Sequence, residues 1–253
     1  MKGAPLDAGF RQMTVYETPA LTKRQKHPFG WAFRVADDNR LRALEYVLTG
    51  LSGDLLDFGC GSKPYEAALR HQGINQWYGV DLPVRTSGDD YLVKADGFIE
   101  DGKIPCADQT FDILFTTQVL EHVVDLDLTM TEISRVLKVG GSAVITVPMT
   151  SILHEEPYDF RRFTPYGMAK LAERFGMTLE TSIALEGPMS TIATLMACHS
   201  NFLCKIPVFG QFLSHLAIEF ANVMGRLLDG LSHKAGLNMH SICLDYLFLL
   251  KKK

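Results

Sequence analysis

Cysteine is scarce and unpatterned in this chain. Its 253 residues include five (Cys60, Cys106, Cys198, Cys204 and Cys243). The odd count without a C-x-x-C pair argues against a disulfide framework or a cysteine-rich zinc site, and fits a reducing, cytoplasmic setting. A basic surplus is missing too. Lys plus Arg total 25 against 29 Asp plus Glu, a net charge of −4. With no basic stripe carrying interleaved aromatics, nucleic acid is not an expected partner. No stretch reaches the roughly 18 apolar residues of a spanning helix. The first thirty residues lack the roughly 7–15-residue apolar core of a secretory leader. There is no internal repeat. An H-E-x-x-H motif is missing as well: the second histidine after His154-Glu155 is replaced by Tyr158, and a His154/Asp159 pair is too little to expect a bound metal.

What is present is an ordinary globular balance, 47% hydrophobic and 21% charged, enough for one large domain or two small ones. Residues 1–30, rich in proline and glycine, read as an irregular arm, and 31–253 as the folded domain. A helical pattern over 31–48 precedes an alternation: strand 54–58, helix 64–71, strands 76–80 and 91–95, strand 111–116, helix 126–139 capped by Gly140-Gly141, strand 142–147. Thr164-Pro165 opens a further helix that Gly176 ends, and a strand follows over 177–185. Alternating strands and helices predict βαβ units and a largely parallel sheet. The block 187–237 is poor in charge. Within it Phe209, Phe212, Leu213, Leu216, Phe220, Val223, Met224, Leu227 and Leu231 recur at helical spacing, while Gln211, His215, Asn222, Arg226 and Asp229 fall on the other face. This block is expected to cover the sheet, act as a lid or form a homodimer face. Its polar face carries too little positive charge to favour more than peripheral membrane contact. Residues 242–250 read as a final buried strand.

The most informative run is Leu55 to Tyr65. An apolar strand enters the turn Gly59-Cys60-Gly61, which opens a helix at Pro64. Two glycines permit left-handed backbone and close approach of a ligand, at the strand's carboxyl end, where open α/β sheets bind ligands. A dinucleotide fingerprint is not met, because Pro64 stands at its third glycine. Asp57, a carboxylate at the strand tip, is poor company for a pyrophosphate and suits a ligand carrying an ammonium and a sulfonium. That describes S-adenosylmethionine. Asp81, about twenty residues on and ending the next strand, is placed to accept ribose hydroxyls, and Asp96, after the following strand, to accept an adenine amino group. Cys60 is read as a small packed residue of the loop, not a nucleophile.

The segments Asp57-Phe58-Gly59-Cys60-Gly61, Tyr78-Gly79-Val80-Asp81, Phe111-Asp112-Ile113-Leu114, Val119-Leu120-Glu121-His122 and Arg135 to Gly141, in that order, resemble the class I S-adenosylmethionine-dependent methyltransferases. The resemblance covers about 40–185. It implies a Rossmann-like, doubly wound seven-stranded sheet with an antiparallel last strand, here with a helical insertion before it. It also implies S-adenosyl-L-methionine as cofactor and S-adenosyl-L-homocysteine as product. By the same analogy Asp57, Gly59, Cys60 and Gly61 hold the amino-acid part, Asp81 and Leu82 the ribose, Asp96 and Gly97 the adenine, and Gln118 lies near the methyl. The family's third loop glycine is Lys63 here. The later run from His154 to Thr164 resembles a subgroup associated with glycan or small-metabolite methylation.

A hydroxyl or amine acceptor must lose a proton. His122, His154 and Tyr158, placed after strands at the ligand edge, are the candidates to take it. The expected function is methyl transfer to an oxygen or nitrogen of a small molecule or saccharide. The alternative is a non-catalytic S-adenosylmethionine-binding module acting on a partner protein. A nicotinamide dehydrogenase is disfavoured by Asp57 and Pro64.

Overall fold

The computed structural model describes residues 10–19, 34–71, 73–83, 93–199, 210–237 and 242–253. Its elements are β1 (Arg11–Thr14), a 3-10 turn (Val15–Glu17), α1 (Arg34–Thr49), β2 (Gly53–Phe58), α2 (Glu66–Leu69), β3 (Ile74–Asp81), β4 (Gly97–Phe98) and β5 (Phe111–Thr117). They continue with α3 (Leu126–Val136), β6 (Leu137–Pro148), α4 (Pro165–Arg174), β7 (Met177–Ala184), α5 (Pro188–His199), α6 (Gly210–Lys234) and β8 (Asp245–Lys252).

The strands form one sheet in the order β1-β7-β8-β6-β5-β2-β3-β4. Only β8 runs antiparallel to its neighbours. Apolar side chains alternate between the two faces. In β5, Phe111 and Leu114 join one core with Met130 and Ile133 of α3 and Met168 and Leu171 of α4. Ile113 and Phe115 join the other, with Leu41, Leu44 and Leu48 of α1. Burial on both faces is why these strands read as near-continuous apolar runs. The strand order reverses at β2, which pairs with β3 on one side and β5 on the other, so the crevice of a doubly wound sheet opens at the glycine loop.

Several sequence expectations are corrected. Among the described residues the sheet has eight strands, where seven were expected. The extra one is β1, from the arm read as irregular, and it pairs in parallel with β7; its burial pattern shows Met13 and Thr14 turned into the protein. The helix expected over 64–71 is one turn, α2. The strand expected over 91–95 is replaced by the two-residue β4; Tyr91 and Leu92 lie outside the described residues. The helix expected to 139 stops at Val136. Gly140, with φ of 75°, does not cap it. The pairing of β5 with β6 steps from Phe111–Leu137 to Ile113–Ser142, so the glycine pair absorbs extra residues as a bulge. Thr164 does cap α4, its hydroxyl accepting from the Gly167 N–H at 3.1 Å.

The α5–α6 pair is inverted relative to an ordinary surface hairpin. The inward side of α6 carries Ile218, Asn222, Gly225 and Asp229, all buried. A Cβ on Gly225 would lie 2.9 Å from the Ser190 Cα, so the helices cross closely because glycine is there. The Asp229 carboxylate, expected on an exposed face, accepts from the Met189 and Ser190 N–H groups at 2.9 and 2.8 Å and caps α5. The apolar residues Phe212, Leu216, Phe220, Val223, Leu227 and Leu231 point outward, each more than half exposed. Among the described residues no helix is long and apolar enough to cross a membrane.

Candidate active site

The glycine loop is shaped from within. Gly59 and Gly61 have φ of 72° and 52°, the left-handed region that glycine enters freely. A Cβ on Gly59 would meet the Val119 Cγ2 at 2.5 Å, so this glycine also admits the turn after β5. Lys63, at φ of 55°, adopts the left-handed conformation without being a glycine. The N–H groups of Gly59 and Cys60 both donate to the Val80 carbonyl, at 2.8 and 3.1 Å. The Gly61 N–H donates to Asp81 Oδ2 at 2.7 Å. These donors are engaged within the chain, so the loop's contribution to a ligand is open approach, bounded by carboxylates.

Those carboxylates differ in character. Asp57, at the end of β2, is 4% exposed and accepts from the Trp77 indole N–H at 2.9 Å. Burial pushes its pKa up to about 7, against the indole hydrogen bond and the Lys63 ammonium. Asp81, at the end of β3, accepts from Gly61 with one oxygen and from the Leu82 N–H at 2.8 Å with the other. The Leu82 side chain is exposed. Asp96 accepts from the Gly79 N–H at 2.7 Å and pairs with Lys63. Burial works against its charge, but the Lys63 and Gly79 hydrogen bonds hold its pKa below the ordinary carboxylate value. Gly97 follows it in β4, opposite Val80. Gln118, just past β5, has φ of 54° and donates its N–H to the Thr146 carbonyl at 2.8 Å. Acidic groups ending β2 and β3 and preceding β4, around a loop where a Cβ on Gly59 has no room, suit a cationic nucleoside such as S-adenosylmethionine.

A second cluster lies beyond β5 and β6. His122 is joined to the glycine loop through Val119, whose carbonyl accepts its N–H at 3.0 Å. His154 comes from the loop after β6, and the two imidazoles meet edge to face with centroids 4.9 Å apart. Between them sits Glu121, which the sequence reading placed in a motif but not among the site residues. Its side chain is fully buried, and among the described residues no other residue hydrogen-bonds either carboxylate oxygen. Burial pushes its pKa up to about 8. Glu121 Oε1 lies 3.8 Å from His122 Nε2 and 4.0 Å from His154 Nε2.

Of the supports, the sequence reading named Asp159 beside His154 but did not single out Arg162. Asp159 Oδ2 lies 3.4 Å from His154 Nδ1 and accepts the His154 backbone N–H at 3.0 Å. The Arg162 guanidinium grips Asp159, with Nη2 to Oδ2 at 2.8 Å, and these hydrogen bonds hold the Asp159 pKa at about 2. Tyr158 enters differently from expectation. Its carbonyl accepts from His122 Nδ1 at 2.7 Å, while its ring is 41% exposed and packs edge-on to Phe160. The spacing His154 to Asp159 to Arg162 sits inside the run already noted. Glu121, next to His122, carried no signal of burial beyond its neighbours.

The methyltransferase domain family model matches residues 29–184. A comparison with curated proteins gives no match. Among solved structures, a protein assigned as a sarcosine dimethylglycine methyltransferase from Galdieria sulphuraria aligns with TM-score 0.52 and 17% identity, over 94% of this chain and 96% of that one. An S-adenosylmethionine-dependent methyltransferase from Mesorhizobium loti gives 0.50 and 16%, over 86% and 98%. The (4+2)-cyclase SpnF gives 0.52 and 17%, over 85% and 82%. At these identities the structures establish the fold, and the cyclase among them shows that the fold alone does not set the reaction. The family match spans more than half of the chain and includes both the glycine loop and the two histidines. The chain therefore belongs to the methyltransferase-domain family and is a class I enzyme that uses S-adenosylmethionine.

Proposed function

We propose that the enzyme methylates an oxygen or nitrogen of a small-molecule or saccharide acceptor received beside His122 and His154. The observation that carries this reading is the convergence of two histidines from different loops at the carboxyl edge of the sheet, tied through Val119 to the glycine loop. S-adenosylmethionine supplies an activated methyl group on a sulfonium. The chain's task is then to align the acceptor, exclude water and take a proton. Asp57 with Gly59, Cys60 and Gly61 is assigned to the amino-acid part, Asp81 and Leu82 to the ribose, Asp96 and Gly97 to the adenine, and Gln118 to the methyl end.

His154 is the favoured proton acceptor. The Asp159 anion beside Nδ1 fixes the ring and stabilises the positive charge gained at Nε2, as a carboxylate does for the histidine of a hydrolase triad. Tyr158 is less favoured for this role: its carbonyl holds the His122 ring, and its exposed side chain packs against Phe160. The free thiols of Cys60, Cys106, Cys198 and Cys243 among the described residues accord with a cytoplasmic protein. The outward stripe of α6 is read as a face for a second copy of the chain.

Two substitutions test the assignment together. Asp81→Ala is expected to weaken S-adenosylhomocysteine binding by roughly 10–100-fold, because it removes a hydroxyl acceptor and frees the Gly61 N–H. His154→Ala should leave that affinity within about twofold and lower turnover by roughly 10²–10⁴-fold on acceptors found by screening hydroxylated and amino compounds. Calorimetry and a product-release assay read the two effects. Undiminished turnover in His154→Ala would remove that loop from the acceptor site.

A further inference from the structure

We propose that Glu121, His122 and His154 form a binding site for one divalent transition-metal ion at the acceptor end of the crevice. With Glu121 ionised, the three side chains turn lone pairs toward one another. His122 Nδ1 lies 2.7 Å from the Tyr158 carbonyl. A carbonyl only accepts, so Nδ1 carries the proton and Nε2 is bare in the neutral ring. His154 Nδ1 lies 3.1 Å from the Ile152 carbonyl and 3.4 Å from Asp159 Oδ2, both acceptors, so its Nε2 is bare as well. The third group is the Glu121 carboxylate, fully buried and hydrogen-bonded by no other described residue.

The three ligand atoms lie within 4.8 Å of one another. Glu121 is too far from either Nε2, at 3.8 and 4.0 Å, for a shared proton to bridge them as a hydrogen bond. A cation at the centre would bond all three at roughly 2.0–2.2 Å after shifts of a few tenths of an ångström. It would also compensate a buried carboxylate that is otherwise costly.

The surroundings have the form of a metal site's outer support. Each histidine donates its far N–H to a carbonyl or carboxylate, the arrangement that orients metal-bound imidazoles. Two nitrogens and one oxygen favour zinc, manganese, iron(II) or cobalt over magnesium or calcium, which prefer oxygen ligands alone. Three protein ligands leave open positions, and His154 is about a third exposed, so the open side is reachable by an acceptor. The proposal rests on the acceptor-site reading only for what the ion does: it would hold an acceptor oxygen or nitrogen and make its proton easier to lose. In that case the two histidines position the ion, and the proton leaves to solvent from the ion-bound atom.

The test uses the full chain, dialysed against a chelator and titrated with Co²⁺, followed by visible absorption and by calorimetry with Zn²⁺. One ion per chain at micromolar or tighter affinity is expected. Glu121→Gln and His154→Ala should each weaken it by about 10–100-fold or more, with S-adenosylhomocysteine affinity unchanged in the same samples. Failure to bind either ion, or equal retention in both variants, overturns the proposal. Should Glu121→Gln fail to fold, His122→Ala and His154→Ala decide it. Cofactor binding without Co²⁺ binding defeats the metal site and leaves the proposed function. Co²⁺ binding without methyl transfer to any acceptor defeats the function and leaves the site.

Discussion

Asp57 shows how one buried group links the cofactor crevice to pH. Its pKa in the folded protein is about 7, raised by burial from an ordinary 3.8. Between those values the folded protein holds a proton that the unfolded chain has lost. The stability associated with this group is therefore full below about pH 4 and declines as pH rises toward 7. Asp57→Asn keeps an acceptor for the Trp77 indole and removes the titration. Relative to that variant, wild-type unfolding free energy should fall by up to about 1.4 kcal/mol per pH unit across the window. Urea unfolding of both proteins from pH 4 to 8 measures this, and parallel curves would refute it. The same carboxylate was legible in the sequence as a strand-tip acid. Its burial was not, because the partner Trp77 belongs to the neighbouring strand.

Helix α1 depends on a polar anchor as well as on its apolar face. Arg40 is 5% exposed and pairs with Asp37 at 3.0 Å and with Asp245 at 2.5 Å. It thus fastens α1 to the first residue of β8, the strand that closes the antiparallel pairings. Glu186, at the end of β7, accepts the Asp245 N–H at 3.1 Å. Removing the cation strands buried carboxylates, so Arg40→Ala should cost about 3–5 kcal/mol. Adding Asp245→Asn should recover part of that loss, as a coupled pair requires. Chemical denaturation of the single and double variants checks both statements; strictly additive losses would show that the pair is not coupled.

The α5–α6 pair sets the character of the molecule's outer surface. Along α6 the apolar residues that are more than half exposed follow intervals of four, four, three, four and four. That is close to an 11-residue repeat, which keeps a stripe nearly straight along a helix. A continuous exposed apolar stripe marks a contact surface. Wild-type protein is expected to sediment as a dimer at tens of micromolar, and Phe220→Glu combined with Leu227→Glu as a monomer with the same circular dichroism. A monomeric wild type that floats with phospholipid vesicles would assign the stripe to lipid instead.

The sequence by itself determined the local features: the strand-loop-helix at Asp57 to Gly61, the acids ending β3 and preceding β4, the Thr164 cap and the amphipathic period of α6. Each depends on backbone preference or on side-chain spacing along one element. Tertiary structure decided which residues meet and which way a face points. Glu121 lies among histidines 1 and 33 positions away because β5 and β6 are adjacent. Gly140 became a bulge because the β5 pairing continued through it. Met13 and Thr14 became strand because β7 offered a free edge. The period of α6 identified two faces, but polar and small residues turned inward because Asp229 caps α5 and Gly225 admits close crossing. Pairing, capping and packing between distant segments are absent from any local window, and they are where the fold and the candidate site were completed.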